Sequence, residues 1–255
     1  MLISFARFDH SGEAGADSYT PMKTTLLFLG ADSYLSTEWR GSQTPWFSKP
    51  AGPFVTLSRE AGSGGASIAR LLARKLNAET PQGVLWRVFE DNLTPQMLRE
   101  HHLPTRLARF LPEGRVSEVQ ASIGEFMGLH PNLWELVQKT NRTIREIATR
   151  GHVVFVGRGA NFATADLPNG THVRLVAPKA HRAKYLADRY NITEEEALVH
   201  NAKCDRARRG YVQAYFDADD RDPAAYDLVI NTGRLSLPEV AKLVAAHVLA
   251  RVQRQ

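Results

Sequence analysis

FVTLSREAGSGGASIARLLARKL, Phe54 to Leu76, is the stretch that decides the fold. FVTLS (Phe54 to Ser58) reads as a buried strand, and Ile68, Leu71, Leu72 and Leu76 recur at the spacing of one helix face. Between them lies SREAGSGGAS (Ser58 to Ser67), with glycines at 62, 64 and 65. Glycine admits backbone conformations that turn successive amides toward one point, and a helix N-terminus carries partial positive charge, so this unit makes an anion site. A phosphate chain fits it. In that reading Gly62, Ser63, Gly64, Gly65, Ala66 and Ser67 bind phosphate, and Ser67 stands where a hydroxyl reaches a magnesium ion. Taken alone, a Gly-Ser-Gly-Gly turn is equally a tight connection and nothing more.

Outward from this unit, strands and helices alternate. A helix from about Pro131 carries Leu133, Leu136, Val137, Ile144 and Ile147 at helical spacing; Gly151 ends it before the strand VVFV (Val153 to Val156). HVRLVA (His172 to Ala177) is the next strand, followed by a helix through Arg182 and Leu186. Thr193 to Glu196 and Ser236 to Glu239 both fit the capping box, so helices begin there, and YDLVI (Tyr226 to Ile230) is the last core strand. Such alternation predicts an α/β fold, a parallel sheet between two helical layers with ligands at the carboxyl ends of its strands. The loops to watch are Arg59 to Gly65, Arg158, and Asn231 to Arg234. Residues 1–53 lack sustained periodicity and close on Lys-Pro-Ala-Gly-Pro (Lys49 to Pro53), a poorly specified extension ahead of a domain over 54–255.

Composition bounds the function. With 43% apolar residues the chain of 255 builds a real core, which excludes disorder throughout. No apolar run approaches the roughly 20 residues of a membrane helix. The first twenty residues carry Asp9, Glu13 and Asp17 and no secretion-type apolar region; with Cys204 as the one cysteine, a cytoplasmic protein is expected. The net charge of +5 comes from scattered residues rather than basic runs, which argues against nucleic acid as the partner. Arginines number 24 against 8 lysines. A guanidinium fork matches phosphate oxygens bidentately, although genomic composition bias yields the same ratio. The nine histidines show no zinc-ligand spacing.

The opening SREAGSGG, set between a strand and an apolar helix, resembles the cytidylate kinase-like family of P-loop proteins. VGRGAN (Val156 to Asn161), DRARRGY (Asp205 to Tyr211) and YDLVINTGRLS (Tyr226 to Ser236) resemble that family's later blocks in the same order, together spanning about residues 54–245. The resemblance implies a P-loop NTPase-type three-layer α/β/α fold with an acceptor-binding insertion over 84–128 and a lid over 195–222. It implies an ATP-dependent phosphotransferase that uses Mg2+ and acts on a nucleoside monophosphate or a similar small phosphorylated acceptor. Gly62 to Ser67 would hold the donor phosphates, Arg158 would contact the transferring or acceptor phosphate, and Arg206 and Arg208 would close from the lid. Asn231 and Arg234 would lie near the base. Asp91, in FEDN (Phe89 to Asn92), is an acceptor-recognition candidate or, equally, a helix-start residue. Asp205 and Arg208, at i and i+3, either hold the guanidinium in place or form a surface pair.

The chain departs from the pattern twice. Set on Gly64, the motif GxxxxGK[ST] puts Gly65 where the lysine belongs and Arg59 where the first glycine belongs. Arg59, folding back over the loop, is the candidate substitute and joins Arg158, Arg206 and Arg208 as a catalytic candidate. After the third strand, better-known cytidylate kinases carry Asp-Gly-Arg-Asp, whereas this chain reads Val156, Gly157, Arg158, Gly159. Two function classes follow: an active kinase, or a nucleotide-binding regulator that keeps the cradle and has lost catalysis.

Overall fold

The computed structural model describes residues 52–80, 84–90 and 133–253. Five strands, β1 (Phe54–Arg59), β2 (Arg87–Phe89), β3 (Val153–Val156), β4 (Gly170–Val176) and β5 (Leu228–Asn231), form one sheet in the order β2-β3-β1-β4-β5. Every neighbouring pair is parallel; Leu57 faces Val156 on one side and Val173 on the other. Parallel neighbours need crossover connections rather than hairpins. The described helices are α1 (Gly65–Glu79), α2 (Leu133–Arg150), α3 (Ala160–Ala163), α4 (Lys179–Tyr190), α5 (Glu194–Phe216) and α6 (Leu237–Val252).

Strand alternation sorts the core into two layers. Val55 and Leu57 of β1, with Val154, Val156, Val173 and Leu175, face Ile68, Leu72 and Leu76 of α1 and Val240, Val244 and Val248 of α6. Both helices present these residues at i, i+4 spacing, one stripe each. On the opposite face Phe54, Phe89, Val153 and Phe155 meet Ile144 and Ile147 of α2. Phe155 stacks on Phe89 at 5.8 Å and meets Phe54 edge-on at 6.4 Å. This is the expected three-layer α/β P-loop architecture, with β1 at its centre and the glycine loop at the carboxyl end of β1.

Local signals placed most of the boundaries. Both capping boxes form: Thr193 Oγ1 accepts from the Glu196 N–H at 3.1 Å, and Ser236 Oγ from the Glu239 N–H at 3.4 Å. Gly151 stops α2 with φ +79°, where a Cβ would lie 2.3 Å from the Gly52 carbonyl oxygen. The last strand begins at Leu228 rather than Tyr226, because a 3-10 turn over Pro223–Ala225 closes on the Tyr226 N–H. Trp86 to Phe89, at the start of the segment read as an acceptor-binding insertion, belong to the core and the sheet: Trp86 is fully buried and Val88 pairs with Val154. Asp91 and the remainder of that segment lie outside the described residues. No helix among the described residues is long and apolar enough to cross a membrane.

Candidate functional site

The glycine loop leaves its helix uncapped. Gly62 and Gly64 adopt φ of +78° and +80°, the left-handed region that costs an L-residue about 1–2 kcal/mol. Space excludes a side chain as well: a Cβ would stand 2.5 Å from the Arg182 carbonyl oxygen at Gly62 and 2.6 Å from Leu237 Cδ2 at Gly64. Gly64 is the N-cap of α1 and supplies no capping side chain. The first-turn N–H groups of Gly65, Ala66 and Ser67 have no acceptor one turn back in the helix, so they and the helix dipole face outward together. Ser63 does not join them. Its N–H and Oγ both donate to the Glu60 carbonyl, and the residue is buried inside the turn.

A clamp from α4 and α5 fixes the loop from behind. The Ala61 N–H donates to Asp205 Oδ1 at 2.7 Å, while Arg182 Nη1 donates to the Ala61 carbonyl and to Asp205 Oδ2, each at 2.8 Å. Arg182 is 5% exposed, and its Nε donates to the Ala177 carbonyl at 3.0 Å beside Glu60. Both Asp205 oxygens are thus engaged by partners other than the expected one. Arg208 Nη1 stands 3.9 Å from Asp205 Oδ1 and donates instead to the Arg59 carbonyl at 3.4 Å.

A cavity of about 590 Å³, within the range that holds a drug- or nucleotide-sized ligand, opens beside the loop entrance and the clamp; Arg59 and Glu60 border it, and Gly62 to Ser67 do not. Arg59, Arg174, Lys179, Arg206, Arg209 and Arg221 line it with Arg182, against the carboxylates of Glu60, Asp205 and Asp220, which makes it a basin for anions. Arg221 also grips Asp219 at 2.8 Å and holds that carboxyl down to about 2. A much smaller cleft of about 20 Å³ adjoins it, walled by Ser58, Gly157, Gly159, Asn161, Arg208 and Tyr211. Arg59 and Asp220 line both. Asp220 is held by Arg174, whose Nη1 reaches Oδ2 at 3.2 Å and Ser58 Oγ at 3.0 Å, beneath the Tyr226 ring.

Arg59 packs against Gly65. A Cβ at Gly65 would stand 3.1 Å from Arg59 Cγ, so the arginine stem lies across the glycine where the P-loop motif has its lysine. Of the other residues singled out in the sequence, Arg206 lines the larger cavity and Arg208 the smaller. Arg158 is buried, holds φ +62°, and lines neither. Asn231 turns its Oδ1 onto the Gly233 N–H at 2.9 Å, and Arg234 is exposed. Their loop runs beside the phosphate loop, because Leu237 packs on Gly64. Ser67 Oγ and Tyr185 Oη lie 3.1 Å apart. Magnesium is usually held by one or two protein oxygens plus phosphates; among the described residues no three acidic, histidine or cysteine side chains gather as a metal cage. Ser67, one turn into α1 among the outward amides, fits such a role.

The sequence reading missed Arg182, Arg174 and Asp220. No periodicity marks a buried arginine.

Comparison with known proteins agrees with this geometry. Residues 54–234 match the model of the cytidylate kinase-like family. A cytidylate kinase of Sulfolobus acidocaldarius is 26% identical over 191 residues, covering 74% of this chain and 91% of the relative. One from Thermococcus kodakarensis is 28% identical over 196 residues, covering 76% and 86%. A crystal structure of an uncharacterised protein from Eubacterium ventriosum shares the fold, with a TM-score of 0.57 at 21% identity over 78% of this chain and 98% of its own. A family match over well more than half the chain places this protein in the cytidylate kinase-like family.

Proposed function

We infer that this kinase-family member transfers the terminal phosphoryl group of ATP to a small phosphorylated acceptor, a nucleoside monophosphate first among them. The observation that carries the reading is the uncapped N-terminus of α1, which leaves the first-turn amides of Gly65, Ala66 and Ser67 without acceptors in the helix; the arginine-lined cavity adjoins it through Arg59 and Glu60, the residues that lead into the loop. Phosphoryl transfer asks for alignment and charge neutralisation rather than covalent help from the protein. The amides hold the donor phosphates. Arg59, stretched over Gly65, brings the charge that the motif's lysine supplies elsewhere. Arg206 and Arg209 on α5 act as the lid's cations, and the Arg182–Asp205 clamp keeps the Ala61 peptide from drifting as they close. Asn231 and Arg234 rest beside the loop for the base, and Arg158 supports the turn between the clefts.

Ser67 is the residue that would hold Mg2+, which when bound neutralises phosphate charge. No general base is required, because a nucleoside monophosphate, with a second pKa of about 6, already presents an ionised oxygen at neutral pH. The relatives are cytidylate kinases, which makes cytidine monophosphate the first acceptor to try. The test is to incubate the full chain with labelled ATP, magnesium and a panel of nucleoside monophosphates. Diphosphate product in any lane supports the reading. ATP binding with no product in any lane supports the second one, a nucleotide-binding regulator, which Gly65 in the lysine position favours.

A further inference from the structure

Three side chains in the walls of the two clefts carry buried polar atoms that no group among the described residues satisfies. They are the Asp220 Oδ1, the Asn161 Nδ2, and both amide atoms of Asn201. Buried polar atoms are normally paired, so an unpaired one beside a cleft points to a partner that the described residues do not supply. Asn201 is wedged behind Gly62, its Nδ2 3.0 Å from where a Cβ would be. Asp220 and Asn161 differ from it in sharing one space, since both line the smaller cleft. They are 8% and 5% exposed.

We propose that Asp220 and Asn161 together form the seat for one hydroxyl group of the acceptor and set the enzyme's preference for acceptors that carry it. Two properties of the cleft choose that group. Its volume of about 20 Å³ has room for one water-sized group and none for a ring. Its two unmet needs are opposite: Asp220 Oδ1 requires a donor, and Asn161 Nδ2 requires an acceptor. A hydroxyl meets both at once, whereas an amino group only donates and a phosphate oxygen only accepts. Charge removes the metal as an occupant. Arg174 already neutralises Asp220 at 3.2 Å, and Arg59 and Arg208 stand in the same wall, so a cation gains little there. The seat lies where the two clefts meet, since Asp220 borders the larger cavity as well. Arg59, like Asp220, borders both spaces, so the seat and the arginine-lined cavity share a wall. A lone water has the same hydrogen-bonding chemistry, and the test separates the two.

The identity of the ligand rests on the phosphotransferase reading, so binding is measured apart from turnover. Cytidine 5′-monophosphate and its 2′-deoxy and 3′-deoxy analogues are titrated calorimetrically into the full chain and into Asn161→Leu and Asp220→Asn, with ATP titrated alongside. The wild type is expected to bind the full ribonucleotide about tenfold or more tightly than the analogue lacking the seated hydroxyl. Both variants are expected to lose most of that ratio. Affinity for ATP should be unchanged in Asn161→Leu, which lines only the smaller cleft; damage to the fold would move both ligands together. A preference that survives in both variants overturns the proposal, as does equal binding of all three nucleotides by the wild type, the result a seated water gives. A preference present without turnover defeats only the phosphotransferase reading.

Discussion

The main-chain N–H of Ala61 donates to Asp205 Oδ1 at 2.7 Å across 144 residues of sequence. One peptide of the phosphate loop is therefore held by a side chain of α5, the helix that also carries Arg206 and Arg209 into the cavity. Removing the carboxylate leaves the 5%-exposed Arg182 with Glu60, 3.4 Å from its Nε, as its remaining carboxylate partner, and leaves Ala61 with an unpaired donor. Asp205→Ala should lower the unfolding free energy by about 3 kcal/mol, read by urea denaturation. Asp205→Asn, which keeps an acceptor for Ala61, should lose less. Equal losses would mean the charge is unimportant.

Gly65 and Arg59 are coupled by space. The φ of Gly65 is not in the left-handed region, so alanine is acceptable to the backbone there, yet its Cβ would press on Arg59 Cγ at 3.1 Å. Gly65→Ala should displace the arginine stem and lower kcat with little change in thermal stability. Arg59→Ala should lower kcat by about 10²–10³, the scale of losing one charge-stabilising donor. Unchanged turnover in Arg59→Ala would remove it from the mechanism.

Gly64 tests conformation against contact. Gly64→Ala meets Leu237 Cδ2 at 2.6 Å and must also hold φ +80°. Adding Leu237→Ala relieves the contact and leaves the strain of about 1–2 kcal/mol. The double variant should therefore still bind ATP more weakly than Leu237→Ala alone.

His172 makes stability depend on pH. Burial, with the charge of Arg251, outweighs the pull of Asp227 and holds the imidazole below its ordinary 6.5, and its Nδ1 lies 2.9 Å from Thr56 Oγ1. The folded state thus prefers the neutral ring. Its contribution is whole above the unfolded value of 6.5 and is lost as pH falls through the lower folded value. Urea midpoints should drop between about pH 7.5 and about pH 5, and His172→Gln should flatten that drop.

What the sequence made legible was local. The glycine loop, the apolar stripes of α1 and the two capping boxes each depend on residues within a turn or two, and each formed as read. The clamp and the shared seat were not legible, because they join distant residues: Arg182 reaches Ala61 across 121 positions and Arg174 reaches Asp220 across 46. β2 escaped because three residues, Arg87–Phe89, give alternation no room to show; its pairing with β3 defines it. Arg158 stands apart from the other arginines singled out in the sequence. A loop after a strand end points to the ligand on average, but here the side chain is buried and the flanking glycines form the wall.

The central claim is that donor phosphates lodge on the amides at the start of α1. The direct measurement is the amide 1H–15N resonances of Gly64, Gly65, Ala66 and Ser67 during titration with ATP, inorganic triphosphate and adenosine. The account predicts saturable shifts of these four with ATP and with triphosphate, and none with adenosine. Resonances that stay fixed while ATP binds elsewhere would contradict it.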